Sequence, residues 1–64
     1  MPEIMVDGEA VEVEHDEKRG AVRIRHPQVN GGEWLEEQSA DTAKVKDRHE
    51  LYTVVRRMLR TNRR

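Results

Sequence analysis

The chain has no cysteine and no phenylalanine, only two prolines, and only two aromatic residues, Trp34 and Tyr52. Without cysteine there is no disulfide, thiolate metal site or cysteine nucleophile, a pattern that fits a reducing cytoplasm. No apolar run exceeds Ile4-Met5-Val6, whereas a spanning helix needs about 20 apolar residues. Glu3 and Asp7 stand where a secretory signal would place Lys or Arg, so the expectation is a cytoplasmic chain, neither exported by that route nor membrane-spanning. Neither sign of charge dominates: 12 Lys and Arg face 13 Asp and Glu, for a net charge of −1. That balance excludes a globally basic coat for nucleic acid and a globally acidic solvating tail.

What is present is one modest domain's worth of chain. Apart from Met1, the 64 residues include seventeen large apolar ones: Ile4, Met5, Val6, Val11, Val13, Val22, Ile24, Val29, Trp34, Leu35, Val45, Leu51, Tyr52, Val54, Val55, Met58 and Leu59. A chain of about 60 residues buries only about 60% of its unfolded surface, so a stability of a few kcal/mol is expected, and self-association would relieve that marginality. Nine of the twelve basic residues are Arg, a bias that GC-rich coding produces, and it points to a prokaryotic or viral source.

Residues 3–26 read as a β-meander, because Ile4, Val6, Val11, Val13, Val22 and Ile24 alternate with polar neighbours, the period of half-buried strands. Asp7-Gly8 is a two-residue hairpin signal, since a type I′ turn needs positive φ at both central positions. Val6 then faces Glu9, and Ile4 faces Val11. The second turn lies within Asp16 to Gly20. Any register with an odd sum keeps Val11 and Val13 on the face of Val22 and Ile24 and sets Glu12 and Glu14 beside Arg23 and Arg25 on the other. A face of such pairs suits water, so the sheet is expected to be covered on one side only.

Residues 27–38 begin with Pro27, which ends the third strand, and continue through the loop signal Asn30-Gly31-Gly32. Trp34-Leu35 fits either a short fourth strand or the first turn of a helix, and an extended segment pinned by Trp34 is the expectation. Residues 39–61 form the helical region, free of Gly and Pro, with Leu51, Val54, Val55, Met58 and Leu59 on one stripe. Asp47 followed by Glu50 resembles a capping box, and Ser39 is a rival N-cap, so one helix from 40 to 60 or two pieces hinged near Asp47 both fit. Residues 62–64 are a basic tail. The fold class is therefore α+β: a small three-stranded antiparallel meander, with Trp34-Leu35 as candidate fourth strand, packed on one face by a C-terminal helix.

Counted by segment, the charge separates into blocks. Residues 1–17 hold seven acids and no Lys or Arg, 18–26 hold four bases and no acid, 33–50 hold six acids against three bases, and 51–64 hold five Arg and no acid. On a continuous helix Arg56, Arg57, Arg60, Arg63 and Arg64 fall within an arc of roughly 120° opposite the apolar stripe. Such a face can grip phosphates or carboxylates through bidentate guanidinium forks. It can equally complement the helix dipole or meet water. These five arginines are the candidate contact residues for a protein partner, a second copy, or nucleic acid. The acidic first seventeen residues are also a candidate mimic of nucleic-acid charge.

Nothing in the sequence points to catalysis. His15, His26 and His49 lack metal-ligand spacing and read as surface or turn histidines, so no metal or cofactor is assigned. The single serine, Ser39, has no nucleophile context and is better placed to cap a helix. Trp34 reads as a core or interface plug rather than a base-stacking platform. The expectation is a small non-enzymatic binding or regulatory module acting through charged surfaces on a protein partner, with homodimerisation as an addition. The alternative is nucleic-acid binding through the Arg-rich helix face. No small-molecule substrate is inferred.

Overall fold

The computed structural model describes residues 3–63. Four strands, β1 (Glu3–Val6), β2 (Glu9–Asp16), β3 (Ala21–Arg25) and β4 (Leu35–Gln38), are followed by two helices, α1 (Ala40–Ala43) and α2 (Arg48–Asn62). The strands form one sheet in the order β1-β2-β3-β4, each antiparallel to the next. This is the expected α+β meander, with Leu35 onward supplying the fourth strand. Residues 39–47 resolve the choice between one helix and two: a single-turn helix precedes α2, and the break falls just before Asp47.

The turns follow from residues that tolerate positive φ. Asp7 at φ 51° and Gly8 at φ 82° close the first hairpin, and Val6 faces Glu9 while Ile4 faces Val11. In the second hairpin Val13 faces Ile24 and Glu14 faces Arg23, an odd-sum register that keeps the valines on one face. Alternation then sorts the residues: Ile4, Val6, Val11, Val13, Val22 and Ile24 are buried.

Helix α2 covers that face. Val54, Val55, Met58 and Leu59 are buried against the sheet, with Val29 and Val45 completing the cluster and Leu35, Leu51 and Tyr52 packed at its margin. Each such side chain contributes about 1.5–3 kcal/mol when fully buried, so this layer is the main source of stability. Met5 alternates outward and is 61% exposed.

Capping sets where the helices start. The Ser39 hydroxyl accepts from the Thr42 N–H, and the Thr42 hydroxyl accepts from the Ser39 N–H at 2.7 Å, a reciprocal box that holds a helix of only four residues. At α2 the Asp47 carboxylate accepts from the Glu50 N–H at 2.8 Å. The Glu50 carboxylate reaches back to the Lys46 N–H at 3.0 Å, one residue before the position a standard box would use. Both rival caps are therefore in use, each on its own helix.

Candidate functional site

The arginine stripe of α2 is largely turned inward to the protein's own acids. Arg57 bonds Glu37 on β4, Arg60 reaches Asp7 in the first turn at 3.2 Å, and Arg63 reaches Glu9 at the start of β2 at 2.5 Å. The helix is thus strapped to both margins of the sheet, because Arg57 leans to one flank of α2 and Arg60 and Arg63 to the other. Arg56 is half-buried, and its Nε has no hydrogen-bond partner. Arg64 lies outside the described residues. The segment beginning at residue 62, expected as a tail, departs from that at two positions. Asn62 is the last helical residue, and Arg63 pairs with Val29 in an isolated β-bridge and donates from Nε to Gln28 at 2.6 Å.

These contacts shift the acids in one direction. The Arg57 guanidinium, helped by the Ser39 hydroxyl, holds the Glu37 carboxyl below the usual carboxylate value, and Arg63 followed by His26 does the same for Glu9. Glu37 in turn raises Arg57. Pairs of this exposure are individually weak and screened by salt, so together they orient the helix rather than determine stability.

The uncovered face of the sheet carries the other charged constellation. Arg25 grips Glu12 with Nε and Nη2, Arg23 grips Glu14, and Arg19 grips Glu36 through two bonds of 3.3 and 2.7 Å. Arg25 and Glu12 each hold the other in its charged form, and Glu36 raises Arg19. The Trp34 ring lies beneath two of these guanidiniums, with Arg23 at 4.8 Å and Arg25 at 5.1 Å from its centroid. Trp34 is half-buried and stands outside the apolar cluster, which removes the core from the two places, core or interface, expected of it. The cause is register. Because Ile24 faces Leu35, the preceding Trp34 continues that pairing beside Arg25, on the side away from α2.

His26 is a turn histidine, its carbonyl accepting the Val29 N–H at 3.0 Å, but at only 5% exposed it is buried and not a surface residue. Its Nε2 lies 3.0 Å from Glu9 Oε1, and its Nδ1 accepts the Gln28 N–H at 3.1 Å. The alternation of Val22 and Ile24 already places His26 on the core side, a signal obscured because Pro27 ends the strand. Among the described residues no three His, Asp or Glu side chains gather as a metal site would require. Ser39 acts as a cap and donates its hydroxyl to Glu37 at 2.8 Å.

Fold and surfaces together define a small α+β protein with one sheet face covered by a helix and the other built of arginine–carboxylate pairs around a tryptophan. No protein-family model, curated protein or solved structure matches the chain. Among the described residues no helix is long and apolar enough to cross a membrane.

Proposed function

We propose that the chain is a small non-enzymatic binding module that engages a protein partner through the uncovered face of its sheet. The observation that carries this reading is the Arg23–Trp34–Arg25 stack, lying on a face that no element of the described residues covers. Trp and Arg are the residues that most often dominate binding energy at protein interfaces. Here their geometry is held in advance, since Glu12 and Glu14 fix the two guanidiniums and little side-chain entropy remains to be lost on docking. Five carboxylates, Glu3, Glu12, Glu14, Asp16 and Glu36, share this face with Arg19, Arg23 and Arg25. Its excess is acidic, and a net basic partner surface is its complement. A second copy pairing along the outer edge of β1 is a compatible addition, and a concentration-independent monomer mass across the micromolar range would remove it.

Nucleic acid gripped by α2 is the second reading. Arg56 favours it as the stripe's cation without an ion-pair partner among the described residues, and the weak pairs at Arg57 and Arg60 yield to phosphate readily. Neutralising four or five phosphates gives a slope of log affinity against log salt near about −4 on duplex DNA. Immobilised protein and nuclease-treated host lysate separate the two. A protein retained by wild type and Arg60→Ala, and lost by Trp34→Ala, supports the sheet face. Capture indifferent to Trp34→Ala, or abolished by nuclease, overturns it.

A further inference from the structure

We propose that His26 is a pH-sensitive latch: in its neutral form it ties Arg63 and the last turn of α2 to the sheet through Glu9 and Gln28, and protonation at Nδ1 breaks the Gln28 arm of that tie. The ring of contacts is closed and specific. The Gln28 N–H donates to Nδ1 at 3.1 Å, so Nδ1 carries no proton and the imidazole is the Nε2–H tautomer. Nε2 then donates to Glu9 Oε1 at 3.0 Å, while Glu9 Oε2 receives Arg63 Nη1 at 2.5 Å. Arg63 Nε returns to the Gln28 side chain at 2.6 Å, and the Val29 to Arg63 bridge lies beside it. Four side chains thus join the loop after β3, the start of β2 and the end of α2.

A proton taken from solvent at Nδ1 converts that acceptor to a donor and sets it against the Gln28 N–H. Two donors then face each other in a site that is 5% exposed, and the amide loses its partner. The charged groups around the ring define its electrostatics. From β2, Glu9 favours the imidazolium; from the end of α2, Arg63 opposes it. The neighbouring Asp7 and Arg60 are bonded to each other, and Arg25 is committed to Glu12 on the far face. Glu9 is held below its usual value of 4.5 by Arg63 and His26, so its carboxylate stays ionised above that value and is not the group that changes between pH 8 and 5.

Nitrogen-15 NMR of the full chain from pH 8 to 5 tests the latch. The Nε2–H tautomer is expected at pH 8. The amides of Gln28, Val29 and Arg63 are expected to shift with the His26 midpoint. Exchange of the amides from Met58 to Asn62, corrected for intrinsic pH dependence, is expected to rise about ten-fold across it, the loss of one buried hydrogen bond. His15→Gln and His49→Gln should keep the step, and His26→Gln should remove it. Should His26→Gln fail to fold, Arg63→Gln, at an exposed position, should leave the tautomer intact while exchange in the last turn is fast at both pH values. An Nδ1–H tautomer at pH 8, a His26 that does not titrate between 8 and 5, or a titration to which Gln28 and Arg63 do not respond each overturns the proposal.

Discussion

Thr42 offers the sharpest perturbation of the fold. It is fully buried, and its hydroxyl donates to the Gly20 carbonyl at 2.6 Å while accepting the Ser39 N–H at 2.7 Å. One hydroxyl therefore joins α1 to the second turn of the sheet and closes the capping box. Thr42→Val keeps the shape and deletes both bonds. The Ser39 side of the site is open enough for water to replace the lost partner, whereas Gly20 is only partly accessible. One orphaned polar group at about 1–3 kcal/mol sets the cost near 2 kcal/mol. In a domain of this size that lowers Tm by roughly 8–16 °C, a large part of the total stability. Thr42→Ser keeps the hydroxyl and loses one methyl group, at about 0.8 kcal/mol. Urea denaturation followed by circular dichroism measures both variants against wild type. The order expected is wild type, then Ser, then Val. A Val variant as stable as the Ser variant would refute the reasoning, because packing and not the hydroxyl would then hold α1 in place.

Gly20 has φ +63°, and an added Cβ would stand 3.2 Å from both Cα and Cβ of Ala43, so Gly20→Ala is expected to cost about 1–2 kcal/mol of backbone strain plus crowding against α1. Gly8→Ala meets nothing within 4 Å and should show the strain alone; thermal melts in which the two variants fall equally would dismiss the close approach. Acid should destabilise the fold: Glu9, Glu12 and Glu37 are lowered from 4.5 by Arg63, Arg25 and Arg57 respectively. Their stabilisation is fully present above 4.5, the unfolded value, and is lost as pH falls through the lower folded values. Denaturation midpoints should hold constant just above that value and fall below it, and Glu37→Gln should make the fall shallower. An unchanged slope for Glu37→Gln would show that this carboxylate gains nothing from Arg57.

The sheet was legible wherever side chains alternate and turns demand particular residues. Asp7-Gly8 determined the first register, and the odd-sum rule was enough to place Glu12 and Glu14 beside Arg25 and Arg23 even with the second turn unspecified. The fourth strand was less accessible because Leu35 to Gln38 has one large apolar residue in four, too few for a period to show. Its position comes from tertiary pairing with β3 and from α1 packing at its end. The choice between core and interface for Trp34 stayed open for the same reason. A tryptophan gains burial in a core, but it can do so only if the register turns it toward the core, and that register was set by a strand whose own signal was weak.

The charge blocks show why a pattern read along one dimension leaves function open. An acidic first hairpin and a basic last helix suggest two surfaces awaiting outside partners, yet folding brings Asp7 to Arg60, Glu9 to Arg63 and Glu37 to Arg57. A helix with no acid after Glu50 can be aligned on the sheet by charges at both margins, and dockings that slide it would separate these pairs. The near-zero net charge is thus partly an internal complementarity, and only what remains after it is offered outward. On the sheet, what remains is the acidic excess around Arg23, Trp34 and Arg25; on the helix, it is Arg48 at its start and Arg56 on the stripe, neither with an ion-pair partner among the described residues. Segregated charge in a chain this short is therefore first an account of how the helix finds its place, and the sheet face, whose arginines are held without being covered, is the surface we propose for a partner.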